Sequence, residues 1–517
     1  MEVETETKKP RRGIGAMLKF MDAVEQLGNR LPHPFWLFMG LSVVLMLVSA
    51  LLAALDVSAV SPATGETIKA RNLLSAEGLE LILGDLIKNF ITFPPLGLIL
   101  VVMLGVAIAD KGGLLTAVMR SMLARVPAKM VTFTVALTSM FAHIASDAAF
   151  IVMIPLGMIA FRSVGRSPVI GAIVAYVAVG GAGSVSPIIE GSDAVYAGLT
   201  TAAAQTIDPN YVVSPVANYF FGVVSSFVLA ISITIVTELI VARRVEAMNK
   251  VIPDLTDPTG IPDMKLNPIE RRGVRRAGIA AAIFMALLVL SVVPQASPLR
   301  GEGGSIVDSP LMDNVAVFLM LFFAVVGIVY GKTVGTIRSA RDVPDLMGQG
   351  VRDLVPVIVL FFAVSQFLGY FKWTNVGQLV AIGGANALNS VDAPVMLIFV
   401  GAILLISIMN LLLTSGIAMW SLIGPVLVPM LMLLNIYPET SQALFRIADA
   451  PTNSLTPMSP YFVIALEFIR RVRPSAGIGT LMSLVLPLTV INLAVWTLMF
   501  LGWYALGIPL GPGAPVR

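Results

Sequence analysis

The sequence predicts an all-α polytopic membrane protein with inverted structural repeats, two re-entrant helical hairpins and broken helices. Three observations predict it. The 517 residues are 57% hydrophobic and only 13% charged, with a mean hydropathy of +0.89, whereas soluble domains carry about 25% charged residues. Two apolar regions are each interrupted by a short polar tip, Ala145-Ser146-Asp147 and Thr414-Ser415-Gly416-Ile417. Finally, Pro155 and Pro425, Pro168 and Pro438, Ser184 and Ser454, and Pro187 and Pro457 are each 270 positions apart. A single shared offset reads as an internal duplication. Chance, in a chain with 33 prolines, is the alternative.

The elements follow in order. Residues 1–12 are polar, and no short apolar core with a small-residue cleavage site follows, so no cleaved signal peptide is expected. Met17, Phe20, Met21, Val24, Leu27 and Leu31 recur at helical spacing. That segment, 15–31, reads as an amphipathic helix on the membrane surface or as one packed on protein. Residues 34–55 form a first span, with Trp36 as an interfacial anchor. A polar loop at 56–71 and a mixed interfacial stretch at 75–92 lead to an apolar run at 96–109 and an amphipathic one at 114–125. The apolar arms 131–144 and 148–161 are each too short to span comfortably, so they read as one hairpin. Residues 168–183 make a half-span that ends in a Gly/Ser/Pro run, and 219–241 make a full span. A polar linker occupies 243–276. Spans are expected at 277–293, 315–329 and 355–371, a second hairpin at 395–413 and 418–434, and a last span at 478–506.

The stretch 444–457 breaks the rules for a membrane helix. It places Arg446 and Asp449 three residues apart and adds Pro451, Thr452, Asn453, Ser454, Thr456 and Pro457. Charges at membrane depth are costly and are kept where they face protein or a wet cavity. A broken backbone needs the same shelter. Tracing the spans in order puts 27 of the 34 lysines and arginines on one face. That face, which includes the N-terminus, is cytoplasmic by the positive-inside rule. The two hairpins then enter from opposite sides, the arrangement of many secondary transporters.

Superposing two inverted halves gathers the tips 143–148 and 413–418 with the breaks 183–193 and 449–457. Their ionisable residues are His143, Asp147, Glu190, Asp193, Arg446 and Asp449. The excess of carboxylates calls for bound Na⁺ or for protons held on the acids. Arg446 offers a planar fork to a substrate carboxylate or pairs with Asp449 along one helix. Asp193 follows the Gly/Pro break and is read as functional; the alternative for Glu190 is a place at the outer edge of that break. Asp147 is read as a helix cap, with a proton relay through His143 as the alternative. Trp420 lies away from any interface belt, and stacks on an aromatic solute or packs in the core. Ser184, Ser186, Asn453, Ser454 and Thr456 suit contacts to a cation or solute, or cap helices.

Other classes fit poorly. The net charge of +3 is too small to imply nucleic acid, and the absence of cysteine excludes disulfides and thiolate metal sites. His33 and His143 are the only imidazoles. No His-Glu-x-x-His or Gly-x-Ser-x-Gly occurs, so no enzyme is expected. Gly331-Lys332-Thr333 lacks the first glycine of a phosphate loop, because position 326 is valine. A channel is a further alternative; the paired breaks favour alternating access over a continuous pore.

Four segments together resemble the AbgT family: Asn29-Arg30-Leu31-Pro32-His33-Pro34-Phe35, His143-Ile144-Ala145-Ser146-Asp147-Ala148-Ala149, Arg446-Ile447-Ala448-Asp449 and Ser459-Pro460-Tyr461-Phe462. The resemblance runs nearly to the C-terminus, through Gly507-Ile508-Pro509-Leu510-Gly511-Pro512-Gly513. It implies an elevator-like homodimer in the bacterial inner membrane. It also implies transport of p-aminobenzoyl-glutamate, or export of sulfonamide-type antimetabolites, driven by a proton or sodium gradient. By motif position Asp193, Trp420, Pro438, Arg446, Asp449 and Pro457 match the family's functional residues. Asp147, Asp193, Asp449, Ser184, Asn453 and Ser454 are the coupling-ion or proton candidates. No cofactor is expected beyond bound Na⁺. The partners are a small anionic solute and the lipid bilayer. Ser186-Pro187 stands where members often have Ala-Asn, and Gly416-Ile417-Ala418-Met419 replaces a serine-rich approach to the tryptophan. The expected organisation is an N-terminal segment (1–33), scaffold spans (34–127), a first transport repeat (128–212), more scaffold (213–391), a second transport repeat (392–475), and a last span with tail (476–517).

Overall fold

Helices carry almost all of the chain in a computed structural model that describes residues 32–60, 65–123, 126–181, 185–250, 266–306, 309–390 and 392–517. The predicted amphipathic segment 15–31, Ser184 and residues 251–265 of the predicted linker lie outside the described residues. In chain order the helices are α1 (Pro34–Ala54), α2 (Ala76–Gly84), α3 (Leu86–Ile91), α4 (Pro94–Lys111), α5 (Leu114–Leu123), α6 (Val131–Ala142), α7 (Ala148–Ser163), α8 (Pro168–Gly180), α9 (Gly191–Ala204), α10 (Tyr219–Val236) and α11 (Ala242–Asn249). They continue as α12 (Pro268–Val292), α13 (Pro310–Asp313), α14 (Val315–Val334), α15 (Asp342–Trp373), α16 (Val376–Ser390), α17 (Val395–Asn410), α18 (Gly416–Met432), α19 (Pro438–Asn453), α20 (Pro460–Arg470) and α21 (Ile478–Leu506). Among the described residues, eight helical stretches are long and apolar enough to cross a membrane.

Proline sets many of the starts. It occupies the first turn of α1, α4, α8, α12, α13, α19 and α20, where its missing N–H costs nothing and its φ is already helical. Glycine sets two of the ends: Gly335 after α14 and Gly507 after α21 take left-handed backbone, which other residues rarely adopt.

The structure corrects several expectations. The polar residues 268–276 are the first turns of a 25-residue helix, not linker. Asn267 accepts the Glu270 N–H at 2.7 Å and Glu270 accepts the Asn267 N–H at 2.8 Å, a reciprocal cap that extends the helix past its apolar part. The span expected at 355–371 is the 32-residue α15. A π-helical turn, Thr237–Val241, joins α10 to α11. The helix α16 was not expected, because its Gly/Ala/Asn content hides its period. The loop at 56–71 holds a short antiparallel pair, β1 (Ser58–Val60) and β2 (Thr67–Lys69), an exception to an all-α fold. With 3-10 turns at both ends, the first hairpin arm runs through Ala128–Ala145, 18 residues, long enough to cross by length alone. Its partner α7 and both arms of the second hairpin, α17 and α18, are shorter.

Small residues let backbones meet. A Cβ on Gly157 of α7 would lie 2.6 Å from the Gly171 carbonyl oxygen of α8, and one on Gly327 of α14 would lie 2.7 Å from the Ala109 nitrogen of α4. The helix α19 is the axis of the second broken region. It packs against α8, α9, α17, α18 and α21, and every residue from Pro438 to Thr452 is buried.

Candidate functional site

The helix α19 brings polar side chains into the middle of the fold. Its continuity is a correction: Pro451 does not break it, and the helix runs to Asn453. A proline inside a helix removes one N–H and crowds the preceding turn, so the Ile447 carbonyl loses its donor four residues on. The second hairpin braces the carbonyls beside it. Asn410, at the end of α17, donates through Nδ2 to the Asp449 carbonyl at 2.6 Å and to Thr452 Oγ1 at 2.8 Å. Ser407 donates to the Ala448 carbonyl at 3.3 Å. The Thr456 hydroxyl, just past the helix, donates to the Leu411 carbonyl at 3.1 Å.

The first broken region meets α19 head on. Arg446 Nη2 lies 2.6 Å from Asp193 Oδ1 on α9, and its guanidinium carbon is 5.3 Å from the centre of the Tyr196 ring. Asp193 uses its other oxygen to accept the Glu190 N–H at 2.9 Å, so one carboxylate both caps α9 and pairs with the guanidinium. Glu190 Oε2 is 2.5 Å from His143 Nδ1, which reaches the tip of the first hairpin. A continuous polar chain therefore runs from His143 through Glu190 and Asp193 to Arg446. Glu190, Arg446 and Asp449 are all buried, at 3%, 6% and 3% exposure. No hydrogen bond reaches Oδ1 of Asp449 among the described residues.

The second hairpin closes the site from the other side. A Cβ on Gly416 would lie 2.5 Å from Tyr196 Oη and 3.0 Å from Asp449 Oδ2, so this glycine is where tip, tyrosine and aspartate converge. A narrow cleft beside Asp193 and Arg446, walled by Ser186, Ile188, Pro215 and Tyr219, has room for about one water. Ile188 also lines an apolar crevice of about 220 Å³ between the first hairpin, α5, α12 and α14. Pro215 also borders a cavity of about 360 Å³ that includes Glu439, Asp313 and the C-terminal tail.

The other expected residues fall as follows. Trp420 is wholly buried. Its Nε1 donates to Thr200 Oγ1 at 3.0 Å and its ring leans on Phe445 at 4.7 Å; it packs as core here and presents no face to a solute. Asp147 does not cap α7, because its carboxylate accepts from the Tyr461 hydroxyl instead. Ser454 is turned inward, donating to the Pro451 carbonyl at 2.8 Å while its own carbonyl accepts from Tyr176 at 3.0 Å. Asn453 is half-buried at the end of α19, Pro438 opens that helix, and Pro457 follows it. Ser186 accepts the Ile188 N–H at 3.2 Å.

Sequence reasoning missed Tyr196, Thr200, Asn410, Glu439, Gln442 and Tyr461. Thr200 donates to Gln442 Oε1 at 2.9 Å, so Trp420, Thr200 and Gln442 tie three helices together. Glu439 accepts from Tyr211 at 2.9 Å. A signal existed for some of these. The run Glu439-Thr440-Ser441-Gln442 puts polar groups around the whole helix, and such a helix in an apolar chain is buried only if its neighbours satisfy it.

Comparison with known proteins agrees with this architecture. The AbgT putative transporter family matches residues 19–517. The chain is 40% identical over 494 residues, 95% of each chain, to the p-aminobenzoyl-glutamate transport protein of Escherichia coli (strain K12). The crystal structure of the Alcanivorax borkumensis YdaH transporter, which has an unusual topology, superposes with a TM-score of 0.88 at 36% identity, covering 93% of this chain and all of that one. MtrF of Neisseria gonorrhoeae, from a class of antimetabolite efflux pumps, superposes with a TM-score of 0.87 at 37% identity, covering 96% of this chain and 100% of that one.

Proposed function

The chain belongs to the AbgT family of membrane transporters, and from that premise we propose that its solute is p-aminobenzoyl-glutamate or a related anionic aromatic amide. It is a multi-pass transporter and not an enzyme. The observation that carries the substrate proposal is the Arg446–Asp193 contact at 2.6 Å. It holds a guanidinium, buried and oriented, where α19 meets α9, two helices from distant parts of the sequence. A planar fork of donors matches a carboxylate, and a solute carboxylate replaces Asp193 as its partner. Asp449 and the end of α19 then face the solute or the coupling ion. The relative in E. coli is named for p-aminobenzoyl-glutamate, which supports this reading. Sulfonamide-type antimetabolites are the second substrate class, supported by the likeness to MtrF.

The proposal extends to the assembly and its energy source. The protein works as an inner-membrane homodimer with a cytoplasmic N-terminus, two re-entrant hairpins and elevator-like movement of residues 128–212 and 392–475 against the remaining spans. A proton or sodium gradient drives it. The test is uptake of labelled p-aminobenzoyl-glutamate into proteoliposomes. Uphill accumulation that collapses with the ion gradient is expected for wild type, and Arg446→Ala and Asp193→Ala variants are expected to lose it. Undiminished flux in the double variant would overturn the assignment of the site.

A further inference from the structure

We propose that His143 and Glu190 form the site that takes up the coupling proton, so that the transported solute is accompanied by a proton held on the first hairpin. The inference rests on the anionic solute proposed above and goes beyond it by naming the ion and the groups that hold it. Three observations carry it.

The first is the contact itself. His143 Nδ1 and Glu190 Oε2 are 2.5 Å apart. The two groups share a hydrogen bond, assigned here with the imidazole Nδ1–H donating to the carboxylate. With Nδ1 protonated and donating, the remaining imidazole nitrogen, Nε2, is the position at which a further proton adds. The pair then goes from one net negative charge to neutral without losing its hydrogen bond.

The second is exposure. The Glu190 side chain is 3% exposed and that of His143 is 23% exposed. The imidazole therefore connects a buried carboxylate to the outside of the cluster, as a proton carrier must. His143 is also one of only two histidines in the chain, and histidine is the side chain that changes charge near neutral pH.

The third is connection to the solute site. Glu190 is tied to Asp193 through its own N–H at 2.9 Å, and Asp193 holds Arg446. The charged groups facing the pair are Asp147 from the first hairpin, Asp193 from α9, and Arg446 and Asp449 from α19. With a neutral imidazole and every acid ionised, Glu190, Asp147, Asp193, Asp449 and Arg446 sum to three negative charges; the added proton brings them to two. An anionic solute that claims Arg446 leaves Asp193 uncompensated beside Glu190, and the proton on His143 offsets that charge. Proton and anion thus favour each other's binding, a coupling whose usual size is about 5–150-fold in affinity.

The experiment uses the full chain in proteoliposomes, with p-aminobenzoyl-glutamate as the probe, comparing wild type with His143→Gln and Glu190→Gln. An imposed proton gradient is expected to drive accumulation in wild type. In both variants accumulation is expected to fall by roughly tenfold toward equilibration, and exchange of labelled for unlabelled solute, which strengthens as pH falls in wild type, is expected to lose that pH dependence. Accumulation retained in either variant would overturn the proposal, as would exchange whose pH dependence matches wild type in both. A second measurement needs no solute: imidazole nitrogen resonances of ¹⁵N-histidine protein carrying His33→Gln. The remaining signal is expected to titrate, to vanish in His143→Gln and to change its midpoint in Glu190→Gln. A signal that does not titrate, or that ignores Glu190, would overturn the proposal. If wild type does not carry p-aminobenzoyl-glutamate, the substrate reading fails by itself and the resonance titration still decides the proton site.

Discussion

Arg446 and Asp193 illustrate what burial does to a charge pair. Each desolvates the other's surroundings, and removing one partner leaves the other buried and uncompensated, at a cost of about 3–5 kcal/mol. The single variants Arg446→Ala and Asp193→Ala are therefore expected to unfold at lower temperature than the double variant, a non-additivity that a thermal-unfolding cycle in detergent measures. Trp420 calls for a different test. Its indole donates to Thr200 and is wholly buried, so Trp420→Phe is expected to cost about 1 kcal/mol of stability and to leave solute affinity within about twofold. A large loss of affinity in that variant would restore a stacking role. These two residues also mark how far the sequence could be read. A guanidinium in an apolar chain announces itself, because its cost must be justified by a site. Whether an indole faces a solute or the interior depends on Thr200 and Phe445, which are distant in sequence, and no local pattern reveals that. The pairing of His143 with Glu190 and of Asp147 with Tyr461 was hidden for the same reason.

At the scale of elements, long apolar helices were legible from hydropathy, while their ends and irregularities were not. Pro451 looked like a break, yet α19 passes through it to Asn453, and Asn410 and Ser407 from the second hairpin donate to the Asp449 and Ala448 carbonyls near its end. That dependence predicts that Asn410→Ala destabilises the end of α19 by about 1–3 kcal/mol through unsatisfied buried groups. Faster amide exchange at residues 452–456, with α1 unchanged, is the expected sign. The hairpin tip makes a sharper prediction. Gly416→Ala drives a methyl into Tyr196 and Asp449, whereas Gly401→Ala, in α17, meets open space. The first is expected to abolish solute uptake and the second to leave it unchanged, or to stabilise the helix slightly because alanine outranks glycine there. The replacement of polar groups before the tryptophan, noted from sequence as a loss, is in the structure what makes room for this convergence.

At the scale of the whole molecule, orientation is the open variable with the simplest assay. The chain has no cysteine, so any introduced thiol is unique. Arg275→Cys, at the start of α12, is expected to react with an impermeant maleimide only after the cytoplasmic face is opened, and Glu302→Cys, beyond its other end, to react in intact cells. The opposite pattern would invert the proposed topology. The duplication at an offset of 270 pointed to two facing halves, and Asp193 does meet Arg446; the inverted symmetry itself is a proposal. One consequence concerns movement. Where Gly157 abuts Gly171, two backbones are pressed so close that neither helix can slip past its neighbour without collision. On the elevator-like movement proposed above, the α7–α8 pair travels as a single rigid plank. Slippage then falls to the greasy seam between the first hairpin and α12 and α14, where oily side chains slide over one another.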